Sequence, residues 1–111
     1  MPKRFKHAGR PQQCRKICQL PGRKFFKPAG ISLDDLNAHV LSLDELEAMR
    51  LVDLEGLYHQ DAAEQMGISR ATLGRILENA RRTVVQTLVD GAALHIKGGS
   101  VDIQTTTNKE N

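Results

Sequence analysis

Nothing narrows the choice of fold for this chain as much as the stretch from His59 to Glu78, HQDAAEQMGISRATLGRILE. Ala62, Ala63 and Met66 recur at a helical three-to-four residue step, and Ala63 is small enough to let a second helix cross closely. Gly67 then ends the first helix, since glycine takes the positive φ of a C-cap without steric cost, and Ile68 supplies an apolar plug under the turn. Ser69 is placed to cap the second helix, its hydroxyl accepting from an orphan backbone N–H. Beyond it Leu73, Ile76, Leu77, Ala80, Val84 and Leu88 form an apolar stripe, so this helix is expected to pack on a core along most of its length. The other face carries Ala71, Thr72, Arg75, Asn79 and Arg82, with Arg70 in the first turn. These are the parts of a helix-turn-helix, whose second helix enters the DNA major groove. Ordinary helical hairpins share the apolar spacing; the cationic outer face sets this one apart.

The chain has 111 residues, 40% of them apolar and 4% aromatic, which suits a single domain with a modest aliphatic core. Its net charge of +3 conceals strong segregation. Residues 1–30 carry nine Lys or Arg and no acid, residues 31–64 one base and nine acids, and residues 65–99 five bases and two acids. A basic arm, an acidic middle and a basic helix fit a protein that lays two surfaces on phosphates and keeps a third away from them. A merely solvated arm is the alternative. No apolar run approaches membrane-spanning length and Met1 to Gly30 lacks the apolar stretch of a secretory signal, so a cytoplasmic protein with no membrane partner is expected.

Residues 1–13 contain Gly and Pro without periodicity and read as a flexible basic arm. Residues 14–99 read as the helix-turn-helix domain with short strands at both ends, and the polar residues 100–111 as a disordered tail. Arg15–Leu20 and Lys24–Lys27 look like short strands around the turn dipeptide Pro21-Gly22, and Ala93–Lys97 like another before Gly98-Gly99. SLDD from Ser32 and SLDE from Ser42 both have the form of a capping box, so a helix is expected to start at each. The second should continue through Leu43, Leu46, Met49 and Val52 to Leu54, stopping at Gly56. The fold expected is therefore mainly α.

SLDELEAMRLVDLEGLYHQDAAEQMGISRATLGRILENARRTV, together with KPAGI at 27–31 and the closing DGAALHIKGG, resembles the family called domain of unknown function one-three-four, small prokaryotic predicted DNA-binding proteins. The resemblance runs from about Arg10 to Gly99. It implies a helix-turn-helix similar to region four of bacterial sigma factors, with a reading helix that begins at Ser69 and runs through Arg70, Ala71, Thr72 and Arg75. A regulatory rather than catalytic role follows from it.

Arg70 and Arg75 are the candidates for base readout, because a guanidinium can bond guanine O6 and N7 together, while Ala71 and Thr72 suit a thymine methyl. Gln60 and Ser69 are candidates for phosphate, and Asn79 and Arg82 extend the same face. In the arm, Lys3, Arg4, Lys6 and Arg10 are candidate phosphate or minor-groove contacts, Gly9-Arg10-Pro11 having the core of a minor-groove hook. Cys14 and Cys18 fall short of a zinc site, which wants four ligands, and none of the four histidines has a paired spacing, so no metal or cofactor is implied. No glycine-rich phosphate loop, G-x-S-x-G elbow or H-E-x-x-H pair is present, and an enzyme is not expected. Double-stranded DNA is the expected partner. The rival readings are a protein-interaction module of the transcription machinery, using the acidic helix from Asp44 to Glu55, and RNA binding through the arm. A homodimer is also a candidate, with Val85 and the last strand as interface pieces.

Overall fold

Local capping chemistry fixes most of the helix ends in this computed structural model. It describes residues 15–99 and 101–103; the arm with Lys3, Arg4, Lys6 and Arg10, Cys14 and the end of the tail lie outside the described residues. Helix α1 (Leu43–Met49) starts from a complete capping box: Ser42 accepts from the Glu45 N–H, and the Glu45 carboxylate accepts from the Ser42 N–H at 2.9 Å. The chain then widens. Over Arg50–Leu54 the turn is of the π type, the Glu55 N–H donating to the Arg50 carbonyl at 2.8 Å, before Gly56 breaks the run.

Helix α2 (His59–Met66) ends at Gly67, whose φ of 70° is the left-handed cap expected from the sequence. Ser69 caps α3 (Arg70–Asp90), accepting from the Thr72 N–H at 3.0 Å. Along this 21-residue helix Leu73, Ile76, Leu77 and Ala80 are buried and Val84 is partly so. Leu88 departs from the expected stripe: it is 74% exposed, and Thr87 is buried in its place with its hydroxyl donating to the Thr83 carbonyl. Successive helical residues lie roughly 100° apart, and the buried line through Ala80 and Val84 arrives at Thr87. The helix expected at Ser32 is a single 3-10 turn, Leu33–Asp35, with Ser32 accepting from Asp34 instead of the third residue on. None of its residues is buried, and an isolated turn without packing does not propagate.

The strands β1 (Arg15–Ile17), β2 (Phe25–Phe26), β3 (Ala38–Leu41), β4 (Ala93–Ile96) and β5 (Val101–Ile103) make two small sheets. In one, the order is β2-β4-β3, with β2 antiparallel and β3 parallel to β4; the crossover between β3 and β4 holds all three helices. In the other, β1 pairs parallel with β5, Ile17 opposite Ile103. The strands flanking Pro21-Gly22 are thus shorter than expected and do not pair with each other. Val101–Ile103, expected within a disordered tail, is a strand.

The core has two parts. Ala48, Leu51, Ala62, Ala63, Met66, Leu73, Ile76 and Leu77 fill the space where α1, α2 and α3 meet, with the half-buried Ile68 plugging the corner. Leu41, Ala80 and Ile96 join α3 to the three-stranded sheet, and Met49 packs on both groups. The His39 Nε2 to Asp90 contact of 3.0 Å ties β3 to the far end of α3. The protein is therefore mainly α with short flanking strands, and none of its described helices is long and apolar enough to cross a membrane.

Candidate nucleic-acid interface

The corner between α2 and α3 is closed from within. The Ile68 N–H donates to the Ala63 carbonyl at 3.0 Å and the Gly67 N–H to Glu64 at 3.1 Å, satisfying carbonyls at the end of α2. At the start of α3 a short relay orders the outer face. The Ser69 hydroxyl donates to Thr72 Oγ1 at 2.9 Å, and Arg75 Nη2 donates to the same oxygen at 3.3 Å. Ser69 already uses its oxygen as cap acceptor, so its role is to start the helix and align Thr72, and Gln60 is the freer of the two residues expected to meet phosphate. Gln60 is exposed near the start of α2, with a long contact of 3.5 Å to Glu64.

Arg70, Ala71, Arg75, Asn79 and Arg82 are exposed and Thr72 is half-buried, so the face expected from spacing is on the surface. Arg70 and Arg75 lie within about 8 Å of each other along the helix axis, whereas Arg82 is about 18 Å from Arg70. Glu78, exposed one turn after Arg75, limits the purely cationic surface to the first two turns. Asn79 and Arg82 flank that surface, Arg82 lining a shallow depression with His39, Val40, Thr83 and Gln86.

Pairing separates these arginines from Arg15, Arg50 and Arg81. Arg50 binds Glu47 through Nε and Nη2, both at 2.9 Å, and reaches Glu55 at 3.2 Å. Arg81 grips Asp53 with two hydrogen bonds of 3.1 and 2.6 Å, and Arg15 faces Asp44 at 3.7 Å. The hydrogen bond from Arg81 holds the Asp53 carboxyl below its ordinary range, against a smaller opposing effect of burial. Among the described residues, Arg70, Arg75 and Arg82 have no acid within ion-pair distance.

The acids of α1 and the turn after it are correspondingly occupied. Glu47 is 2% exposed and accepts from the Cys18 N–H as well as from Arg50; Asp44 is buried, and Glu45 completes the capping box. Of the acids in Asp44–Glu55, the stretch expected to offer a protein-docking surface, Asp44 and Glu47 are buried, while Asp53 and Glu55 are exposed and paired with arginines. Sequence inspection missed Lys16, which β1 lays across the corner: its Cγ, Cδ and Cε lie 3.7–3.9 Å from where a Gly67 Cβ would stand. Long-range contacts of β1, its pairing with β5 and its packing on α1 and α2, put it there, and no local signal marks it.

Cys18 is free, and the residues before it, Arg15–Ile17, are extended, so the helical presentation that two thiolates on one metal would need is absent from this segment. Partial burial, then the nearby Glu47 carboxylate, push the Cys18 thiol up, which disfavours the thiolate. No three His, Cys, Asp or Glu among the described residues are grouped to hold a metal.

A mainly helical domain with two unpaired arginines on the opening turns of its longest helix is the class these features define. The chain belongs to the family described as "Protein of unknown function DUF134", whose model matches residues 1–104. A UPF0251 protein of Chlorobium chlorochromatii is 52% identical over 98 residues, covering 88% of this chain and 55% of that protein. Those of Pelotomaculum thermopropionicum and Desulforudis audaxviator are each 50% identical, over 91 residues (82% of this chain, 69% of the relative) and 94 residues (85% and 61%). The chain therefore spans between 55% and 69% of the length of these relatives. No solved structure matches it.

Proposed function

We propose that this chain binds duplex DNA through a helix-turn-helix of the sigma-region-four kind, formed by α2 and α3, and acts as a transcriptional regulator inside the cell. The observation that carries the proposal is the lack of acid partners along the outer face of α3: Arg50 and Arg81 are bound to acids, whereas Arg70, Arg75 and Arg82 are not, and Arg70 and Arg75 share the opening turns of α3 with small side chains. A helix N-terminus adds backbone N–H groups and a positive dipole end, both favourable to phosphate.

In this proposal Arg75, steadied by Thr72, bonds a guanine edge in the major groove, with Arg70 beside it and Ala71 against a thymine methyl. Gln60 and Lys16 hold phosphates on either side, and Asn79 and Arg82 follow the backbone outward. Binding titrations at several salt concentrations test it. Arg75→Ala is expected to lose about 1–3 kcal/mol on the preferred sequence and far less on others, whereas Arg82→Ala loses affinity uniformly with a shallower salt slope. Salt-independent binding, or structured RNA outcompeting duplex at equal salt, would overturn it.

A further inference from the structure

The residues that lead into β1 carry charge that the reading helix does not use. Lys3, Arg4, Lys6 and Arg10 fall within residues 1–14, which hold no acid. The point where that segment joins the domain is fixed by three neighbouring residues. Arg15 faces Asp44 at 3.7 Å with most of its side chain covered, Lys16 lies across the α2–α3 corner 3.7–3.9 Å from the Gly67 Cβ position, and Ile17 is fully buried. Gly67 stands three residues before Arg70, the first residue of α3. The cationic segment is therefore rooted beside the turns of α3 assigned to the major groove, and not at the far end of that helix.

We infer that this segment grips the same duplex, with Arg10 in the minor groove next to the major groove held by α3, and Lys3, Arg4 and Lys6 on the phosphates beyond it. The inference rests on the DNA reading proposed above. Two features favour the minor groove over a tether to phosphates alone. The first is reach: neighbouring grooves are centred half a turn of duplex apart, about 17 Å, and the five residues from Arg15 back to Arg10 span about 17 Å when extended. The second is shape. Gly9-Arg10-Pro11 sets one long cationic side chain between a residue with no side chain and a ring that restricts the backbone, which suits a groove only about 6 Å wide. In A·T tracts that groove is narrower and more negative, and an inserted arginine is held there most strongly.

Anisotropy titrations of the full chain test it, on two duplexes that share a central sequence taken from the pool selected by the wild type and differ in having A·T or G·C flanks. The wild type is expected to bind the A·T-flanked duplex about tenfold more tightly, and Arg10→Ala to erase that difference while keeping its preference for the centre. Lys3→Ala/Arg4→Ala/Lys6→Ala is expected to weaken both duplexes alike and to reduce the slope of log affinity against log salt by about 3, close to one per phosphate. Equal affinity of the wild type for the two duplexes, or an Arg10→Ala variant that retains the A·T preference, overturns the inference and leaves the reading by α3 standing. Arg70→Ala/Arg75→Ala is expected to show the converse, losing the centre and keeping the A·T preference. A wild type that distinguishes flanks through Arg10 but is indifferent to the centre would overturn the reading by α3 and uphold the minor-groove contact.

Discussion

Gly67 and Ser69 show how much two residues can decide. Gly67 needs a positive φ but has room for a methyl group, so Gly67→Ala meets backbone strain alone and is expected to cost about 1–2 kcal/mol in urea unfolding. Gly67→Asn should cost less, because asparagine tolerates that conformation. Gly99 differs: a Cβ there would run into Asp44 and Ser42, so any side chain disturbs the start of α1 as well. Ser69→Ala is expected to lose about 1 kcal/mol of stability from the cap, and to free Thr72 and Arg75 from their relay, weakening duplex binding further. The Asp53–Arg81 pair gives a pH prediction. Because the folded state holds Asp53 below its ordinary range, the stabilisation is complete above the unfolded-state value and disappears as pH falls through the lowered folded one. Both partners are well exposed, so Asp53→Asn should remove only on the order of 0.2–1 kcal/mol, visible as a shallower loss of stability on acidification.

Among the elements, those whose signals are local were legible in the sequence. The Ser42 capping box, the Gly67 corner and the Ser69 cap each involve side chains and backbone within four residues, and each forms as the sequence reads. The first capping-box look-alike failed because Leu33–Asp35 has nothing to pack against. Strand partners were illegible for a related reason: β1 finds β5 and β2 finds β4 across most of the chain, and no nearby residue records that choice. Glu47 reads as one more acid on a helix, yet it is the buried acceptor that joins β1, α1 and the π turn. Glu47→Ala would leave the Arg50 guanidinium with Glu55 as its one acid and the Cys18 N–H without its acceptor, and a loss of about 1–3 kcal/mol in chemical unfolding is expected.

At the scale of the molecule, the uneven charge along the chain becomes a division of labour. The acids between Asp44 and Glu55 neutralise Arg15, Arg50 and Arg81 inside or across the domain, and Arg70, Arg75 and Arg82 on the outer face of α3 are left unmatched. The cationic face of the candidate site could be read from helical spacing alone; its isolation from acids could not, because that depends on which arginines the fold consumes. Lys16 joins the site for the same three-dimensional reason. The central claim is that the opening turns of α3 read base sequence, and selection from a random duplex pool tests it most directly. The wild type is predicted to enrich one motif, and Arg70→Ala/Arg75→Ala to lose preference at defined positions of it; no enrichment by the wild type, or the same motif from both proteins, would contradict the account.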